Sequence, residues 1–209
     1  MNNDDLFETP NQPTANLLPY DGEVNDYGVI FDCKKSDAYY LQLLQQIAWQ
    51  HDTAVIYGKR ITTARQVAWY GEKNFNYHYS GATRTALPWT DSLLELKQIV
   101  EQHLATISPT LFNSCLLNLY TDGNQGMAWH SDDEKCLIKN GVIASLSFGA
   151  TRKFAFRHKK DKQKIDLWLK HGQLIVMKGT TQTYWQHAVM KSTRINQPRI
   201  NLTFRTMVG

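Results

Sequence analysis

The sequence has few cysteines and no long apolar run. Its three cysteines, Cys33, Cys115 and Cys136, are odd in number and widely spaced, which argues against a disulfide framework or a cysteine-rich zinc site and favours reduced thiols. No apolar run reaches the ~18 residues that suggest a membrane span, and the N-terminus lacks the basic start and apolar stretch of a secretory signal. We therefore expect an intracellular protein without a membrane partner, cytoplasmic in a bacterium or nuclear in a eukaryote.

Acidic residues are scarce in the last part of the chain. Residues 151–209 carry 13 Lys/Arg against 2 Asp/Glu, whereas residues 1–50 carry 2 against 8, and the net charge of +4 hides this asymmetry. A basic surface of this kind suits a polyanion, and nucleic acid is the commonest one inside cells. A basic face that is merely solvated is the alternative.

The chain also lacks internal repeats, and its composition changes along its length. Residues 1–25 are rich in Asn, Asp and Pro and predict a flexible tail. Residues 26–110 combine helical patterns with an aromatic-rich segment, and residues 111–209 have the pattern of strands. With 42% hydrophobic residues in 209, the last two parts can form one domain around a common core.

Two amphipathic helices are predicted in the middle part. One begins at Ser36, and the other begins near residue 90, where Ser92 and Glu95 match a capping box. Their predicted apolar faces are Leu41, Leu44, Ile47 and Ala48 in the first, and Leu96, Ile99, Val100, Leu104 and Ile107 in the second.

Beyond residue 112 the pattern is that of strands separated by turns. The predicted strands include "SCLLNLY", "GVIASLSFG", "TRKFAFRHK", "IDLWLK", "GQLIVMKG" and "RINLTFRTM". A series of strands after two helices predicts a mainly β fold, a sandwich or jelly roll that the N-terminal helices buttress.

The segment "MAWHSDDE" places His130 two residues before Asp132, with two more acids behind it. Neighbouring carboxylates repel one another unless a cation lies among them, and His187 offers a third ligand from a distant strand. Two imidazoles and one carboxylate suit Fe(II) with three open positions. Zinc is the alternative metal, and a hydrogen-bonded histidine near a strand end is the alternative for His187.

The last strand, "RINLTFR", alternates polar and apolar residues. Its period of two places Arg199, Asn201, Thr203 and Arg205 on one face. Arginine binds carboxylates through two parallel hydrogen bonds, so a basic strand face beside a metal would suit a small dicarboxylate such as 2-oxoglutarate. An ordinary strand with a solvated face is the alternative.

Together these motifs resemble the AlkB family of Fe(II)/2-oxoglutarate dioxygenases, which remove alkyl lesions from nucleobases. The resemblance covers the chain from about residue 52 to its end. It depends on "HSD" at 130–132, His187, "RINLTFR" at 199–205, "LNLY" at 117–120 and "ASLSFGATRKFAFRHK" at 144–159. The segments "YGK" at 57–59, "YHYSG" at 77–81 and "HSDDE" make it most similar to the animal homologues that repair DNA.

The resemblance implies a double-stranded β-helix in which His130, Asp132 and His187 hold Fe(II). It also implies a 2-oxoglutarate site, with Arg199 and Tyr120 at the distal carboxylate and Arg205 at the carboxylate beside the keto group. The full set implied for this cosubstrate is Asn118, Tyr120, Arg199, Asn201, Thr203 and Arg205. The implied reaction demethylates bases of the 1-methyladenine and 3-methylcytosine type and releases succinate, carbon dioxide and formaldehyde.

A flipped base, held by stacking and by hydrogen bonds to its edge, is the implied substrate. By resemblance Tyr79 and His130 would stack on it, and Tyr77, Asp133 and Glu134 would approach its polar edge. Ordinary strand packing is the alternative for both tyrosines.

By resemblance, Tyr57, Gly58 and Lys59 match the finger hairpin that fills the gap left in a duplex. Packing on the core is the alternative for Tyr57. The implied partner is alkylated DNA, or RNA, and we expect a monomer. The other functions to consider are an RNA demethylase or protein hydroxylase on the same core, and a nucleic-acid-binding jelly roll without catalysis.

Overall fold

The computed structural model of this protein describes residues 13–56, 59–73, 75–79 and 82–208. These residues form three helices, α1 (Cys33–Gln46), α2 (Asp91–Leu104) and α3 (Thr181–Tyr184). None of these helices has the length and apolar character that crossing a membrane requires. The strands are β1 (Glu23–Val29), β2 (Gln50–Ile56), β3 (Lys59–Gly71), β4 (Asn76–Tyr79), β5 (Ala82–Thr85), β6 (Ser114–Tyr120), β7 (Met127–His130), β8 (Ile143–Gly149), β9 (Arg152–His158), β10 (Lys164–Leu169), β11 (Gln173–Lys178), β12 (Trp185–Val189) and β13 (Arg199–Arg205).

The strands build two antiparallel sheets that pack against each other. The large sheet has the order β1-β11-β8-β13-β6-β3-β2, the small sheet has the order β10-β9-β12-β7, and β4 and β5 form a separate pair. Side chains of both sheets, among them Tyr120, Met177, Phe156 and Trp185, share one hydrophobic cluster. The prediction of a jelly roll, a double-stranded β-helix with flanking helices, is confirmed.

Strand β13 lies inside the large sheet, between β6 and β8. Its apolar residues Ile200, Leu202 and Phe204 belong to the core that the helices cover, because alternate side chains of a strand point to opposite faces. The predicted alternation is therefore confirmed. The alternative of a solvated polar face is wrong, because the four polar residues are buried as well: Arg199, Asn201, Thr203 and Arg205.

Helices α1 and α2 cover the large sheet on the face away from the small sheet. Helix α1 buries Ser36, Tyr39 and Leu43, and the hydroxyl of Tyr39 donates a hydrogen bond to Oε1 of Glu95 on α2 at 2.7 Å. The apolar face predicted for this helix is confirmed only in part: Ile47 is buried and Leu44 packs on the core, whereas Leu41 is 55% exposed and Ala48 is exposed. The orientation of α1 is set instead by the Tyr39 ring, which packs on two phenylalanines of the core, Phe31 and Phe148.

The start of α2 near residue 90 is confirmed, but the capping residue predicted for it and the predicted start of α1 were wrong. The carboxylate of Asp32 accepts a hydrogen bond from the Lys35 N–H at 2.7 Å and caps α1, and the hydroxyl of Thr90 accepts one from the Leu93 N–H at 3.3 Å and caps α2. A capping residue has extended backbone, so that its side-chain oxygen can reach the free N–H groups of the first turn. Ser36, the predicted first residue of α1, and Ser92, the predicted cap of α2, are buried within the helices.

Residues before β1 pack on the small sheet. The Leu17 N–H donates to the Val24 carbonyl at 2.8 Å, and Leu18 is buried in the cluster between the sheets. The ring of Tyr20 lies 5.8 Å from that of Trp185. The boundary of the predicted tail at residue 25 therefore lies inside β1, and residues 1–12 lie outside the described part of the chain. The division of the chain at residues 25 and 110 stays a prediction.

Candidate active site

The three predicted metal ligands meet at the β7 edge of the small sheet. His130 ends β7, His187 lies in β12, and the two are direct register partners. Asp132 follows β7 by two residues. The ligand atoms of His130, Asp132 and His187 all lie within 4.8 Å of one another, and this is the only such cluster found among the described residues.

The backbone fixes which nitrogen of His130 faces the cluster. Nδ1 lies 2.8 Å from the Ala128 carbonyl oxygen, and since a carbonyl can only accept, Nδ1 carries the proton. Nε2 is then left as the lone-pair donor, 3.8 Å from Oδ1 of Asp132. The Asp132 N–H donates to Oε1 of Gln182 on α3 at 2.9 Å, which holds the segment after β7 in place.

Burial and neighbouring charges set the protonation of the cluster. Burial, with His130 and Arg205 adding to it, lowers the pKa of His187 to about 3 although Asp132 opposes the change. Burial alone would raise the pKa of Asp132, but Arg205, His187 and His130 hold it below its usual value. At neutral pH His187 is thus a neutral imidazole and Asp132 a carboxylate, as metal ligands must be.

The predicted cosubstrate residues also come together, on β6 and β13. Arg199 is the register partner of Tyr120, and Asn201 is the partner of Asn118. The guanidinium of Arg199 lies 5.6 Å from the centre of the Tyr120 ring. Asn201 donates to the Thr203 hydroxyl at 2.9 Å, so the polar face of β13 forms a connected network.

Arg199 is 1% exposed and is not fully satisfied by the protein. Its Nη2 donates to Ser147 at 2.9 Å and to Asn201 at 2.8 Å, while Nε and Nη1 have no hydrogen-bond partner. Burial lowers its pKa to about 10, with the approach of Arg152 adding to the effect and Tyr120 opposing it. A buried guanidinium with unused donors is costly unless an anion reaches it, so this strand face has the character of a carboxylate site.

One cavity between the sheets contains the metal-ligand cluster and most of the polar face of β13. Arg199 does not line it but contacts Asn201, which does. The cavity is lined by His130, Asp132, His187, Asn118, Tyr120, Asn201, Thr203, Arg205, Glu134, Asp52, Arg65, Val67, Trp69, Leu116, Met127, Ser145, Phe154, Met177 and Val189. A metal and a small dicarboxylate could therefore be held side by side.

The two acids after Asp132 lie in different surroundings. Glu134 lines the cavity, and its Oε1 lies 3.7 Å from Nη1 of Arg205. Asp133 has a 67% exposed side chain, lies 4.0 Å from Nζ of Lys159 and does not line the cavity. Glu134 therefore faces this cavity, and Asp133 lies outside it.

Comparisons with known proteins agree with this geometry. Residues 30–205 match the 2OG-Fe(II) oxygenase superfamily. The mouse protein named DNA oxidative demethylase ALKBH2 is 34% identical over an alignment of 207 positions, which covers 94% of this chain and 85% of the mouse protein. This chain belongs to the AlkB family of 2OG-Fe(II) oxygenases.

Other relatives of this AlkB-family chain are longer. The bovine alpha-ketoglutarate-dependent dioxygenase alkB homolog 3 is 39% identical over 84% of this chain, and the human protein of that name is 38% identical over 87%. The chain spans 63% of the bovine and 65% of the human protein. Among solved structures, that of OsALKBH1 covers 90% of this chain and 98% of its own, with a TM-score of 0.64 at 16% identity, a likeness that concerns the fold alone.

The remaining predicted substrate-binding residues of the AlkB-family site belong to the segments around β2, β3 and β4. Tyr57 and Gly58 lie outside the described residues, between β2 and β3, and Lys59 begins β3. Tyr77 and Tyr79 belong to β4, which pairs with β5. Their contacts with a base and with DNA stay predictions.

Several residues in or next to the wall of this AlkB-family cavity were not predicted from the sequence. Ser145 donates to Oδ1 of Asn201 at 3.0 Å, and Ser147 accepts from Arg199. The alternation of small polar residues in "ASLSFG" could have revealed these two, because β8 pairs with β13. Asp52 and Arg65 were also missed, and no motif in the sequence joins them.

Proposed function

We propose that this chain is an Fe(II)/2-oxoglutarate-dependent dioxygenase that demethylates N-alkylated bases in DNA, of the 1-methyladenine and 3-methylcytosine type. The observation that carries the proposal is the His130, Asp132 and His187 cluster, which shares one cavity with a buried polar strand face whose Arg199 has unused donors. Membership of the AlkB family supports it.

The metal ligands would be Nε2 of His130, a carboxylate oxygen of Asp132 and a ring nitrogen of His187. One carboxylate and two neutral imidazoles are the donor set that non-haem Fe(II) oxygenases use. Bound iron would supply the oxidation of the N-methyl group with dioxygen and 2-oxoglutarate, giving succinate, carbon dioxide and formaldehyde. The protein binds and orients the reactants, and the apolar walls formed by Phe154, Met177 and Val189 exclude water.

For 2-oxoglutarate, we assign Arg199 with Tyr120 to the distal carboxylate and Arg205 to the carboxylate beside the keto group. Arg205 lies close enough to affect the pKa of both Asp132 and His187, which supports placing it at the metal end. The amide and hydroxyl groups of Asn118, Asn201 and Thr203 would complete the site.

The base would enter from the side of the cavity where Glu134 lies. The Glu134 carboxylate would favour a base made cationic by methylation. We propose that Tyr79 and His130 stack on this base, and that Tyr77 and Asp133 lie near its polar edge. DNA as the substrate is supported by the name of the mouse relative, DNA oxidative demethylase ALKBH2, and by the basic last third of the chain. Lys159 of the turn after β9 lies beside Asp133, so the basic surface reaches this region.

The test is release of formaldehyde from oligonucleotides that contain 1-methyladenine, measured with Fe(II) and 2-oxoglutarate on single-stranded DNA, duplex DNA and RNA of one sequence. We expect release from DNA that stops when either Fe(II) or 2-oxoglutarate is omitted. Release from RNA alone would favour the RNA demethylase. Succinate production without release from any oligonucleotide would point to another substrate, such as a protein. The expectations of a monomer and of an intracellular location stay predictions.

A further inference from the structure

A buried ion pair lies in the wall of the same cavity. Asp52 of β2 and Arg65 of β3 are 3% and 9% exposed, and Nη2 of Arg65 lies 2.6 Å from Oδ2 of Asp52. Both residues line the cavity together with His130 and Glu134. The proposed iron and 2-oxoglutarate sites use neither of them.

The backbone explains how the pair comes to face the cavity. The register between β2 and β3 shifts between His51 and Thr53, so Asp52 lies at an irregularity of the kind that redirects a side chain. Arg65 extends across the gap between the sheets, where its Nη1 donates to Sδ of Met127 on β7. The guanidinium is thus held at a strand that also carries the ligand His130.

One N–H group of Arg65 is available to a ligand. Its buried Nε has no hydrogen-bond partner, although nearly all buried N–H groups in proteins are paired. A molecule bound in the cavity can supply the missing acceptor. The unpaired Nε of Arg65 is therefore more typical of a cavity wall that contacts a ligand than of a closed core.

The charge of the pair matters for the substrate. Methylation of adenine at N1 or of cytosine at N3 makes a base that is cationic at neutral pH, whereas 3-methylthymine is neutral. An isolated guanidinium in the cavity wall would repel a cationic base, and this repulsion is stronger inside a protein than in water. The carboxylate of Asp52 opposes that field because it lies in contact with the guanidinium.

We propose that Asp52 is a specificity-determining residue: by compensating the charge of Arg65, it allows a methylated, cationic base to occupy the cavity. The inference deepens the proposed function and rests on it. Arg65 can then offer its N–H groups to the base or to its surroundings without excluding the lesion. Asp52 acts through Arg65 and need not touch the base.

The test compares two lesions in four proteins. The values of kcat/KM are measured for 1-methyladenine and 3-methylthymine in the same single-stranded oligonucleotide, with the parent chain, Asp52→Asn, Arg65→Met and the double variant. We expect Asp52→Asn to lower the value for 1-methyladenine about tenfold or more and that for 3-methylthymine less than about threefold. The double variant removes both charges. Its ratio of kcat/KM for 1-methyladenine to kcat/KM for 3-methylthymine should return to within about threefold of the parent value.

Asp166→Asn is the matched control. It removes a carboxylate from an ion pair with the same 2.6 Å separation, Lys153–Asp166, whose side chains are about 40% exposed and do not line the cavity. The ratio of the kcat/KM values for the two lesions should not change in this variant. An unchanged ratio in Asp52→Asn would overturn the proposal, as would equal losses on both lesions with a lower melting temperature, which would assign the pair to stability alone.

A second readout separates this proposal from the proposed function. Affinities for the two oligonucleotides are measured by fluorescence anisotropy with Mn(II) in place of Fe(II), so that no turnover is needed. Absence of formaldehyde from every lesion with the parent chain would refute the proposed function. The affinity ratio would still decide the role of Asp52: a lower preference for 1-methyladenine in Asp52→Asn supports it, and an unchanged preference overturns it.

Discussion

His130 and His187 are register partners across β7 and β12, and their ring centroids lie 4.2 Å apart. Strand pairing therefore positions both imidazoles through the backbone, and no loop conformation is needed to bring them together. His187 also stacks on Phe154 at 5.5 Å, which holds its ring orientation. The ligand geometry is preorganised by the small sheet, as a catalytic metal site requires.

We expect Asp132→Ala to abolish activity, to weaken metal binding strongly and to leave the fold intact. Removing one of three ligands should weaken metal affinity by more than the ~10–100-fold that loss of a supporting partner costs. Anaerobic calorimetry with Mn(II) measures the affinity, and circular dichroism checks the fold. His103→Ala, which changes a histidine on α2 whose Nδ1 lies 2.9 Å from the Ile99 carbonyl, is the control and should bind metal normally. Normal metal binding in Asp132→Ala would refute the ligand assignment.

Arg199→Ala should raise the KM for 2-oxoglutarate strongly. A buried carboxylate would lose charge-assisted hydrogen bonds worth about 1.5–3 kcal/mol, which is roughly a 10- to 150-fold change. Succinate formation at varied 2-oxoglutarate gives the KM. Arg194→Ala, at an exposed position outside the cavity, should leave it unchanged. A normal KM in Arg199→Ala would count against a dicarboxylate site on β13.

Lys191→Ala and Arg194→Ala should instead weaken nucleic-acid binding. Both residues are exposed in the segment between β12 and β13, and each contact with a phosphate releases counterions. The slope of log affinity against log salt should become shallower by about one for each lost contact. Binding titrations at several salt concentrations measure it, and slopes equal to the parent's would exclude phosphate contacts at these positions.

Tyr57→Ala should lower repair of 1-methyladenine in duplex DNA about tenfold or more, which corresponds to about 1.4 kcal/mol of lost stacking. Repair of single-stranded DNA should change little, because only a duplex leaves a gap when a base is flipped. Tyr57→Phe keeps the ring and should retain duplex repair. Equal losses on both substrates would place Tyr57 in the core, and no loss on either would refute the finger hypothesis.

Arg152→Met should destabilise the fold by about 2–4 kcal/mol. The guanidinium of Arg152 is fully buried and donates to four backbone carbonyls, those of Asp122, Gly123, Gln125 and Met190. Its loss removes a donor from each of these carbonyls, although that of Gly123 still accepts from the Ser192 N–H at 2.8 Å. Urea unfolding measures the change, and Arg194→Met, an exposed arginine, should stay within about 0.5 kcal/mol of the parent. An equal stability of the two variants would contradict this role of Arg152.

Much of the fold could be predicted because several strands are recognisable from the local pattern of apolar and polar residues. The alternation in "RINLTFR" agrees with β13, and the apolar run in "GQLIVMKG" agrees with β11. The helix boundaries were harder, because several residues near each start can cap a helix. Only the observed backbone shows that Asp32 and Thr90 do so. Strand β7 was not predicted, since its four residues are too few to show a period.

The sequence by itself determined which types of side chain are available as metal ligands and which residues share a face of a single strand. The shared face of Arg199 and Asn201 follows from the period of two that a strand imposes on neighbouring residues, whereas Asp132 lies two residues beyond the end of β7 and was indicated by its residue type and its nearness to His130 in the chain. Tertiary structure alone decided which face of α1 is buried and that Asp52 meets Arg65 in the cavity wall. The reason is physical: these contacts depend on how whole elements pack and on a register shift between strands, and neither leaves a repeating pattern in the sequence.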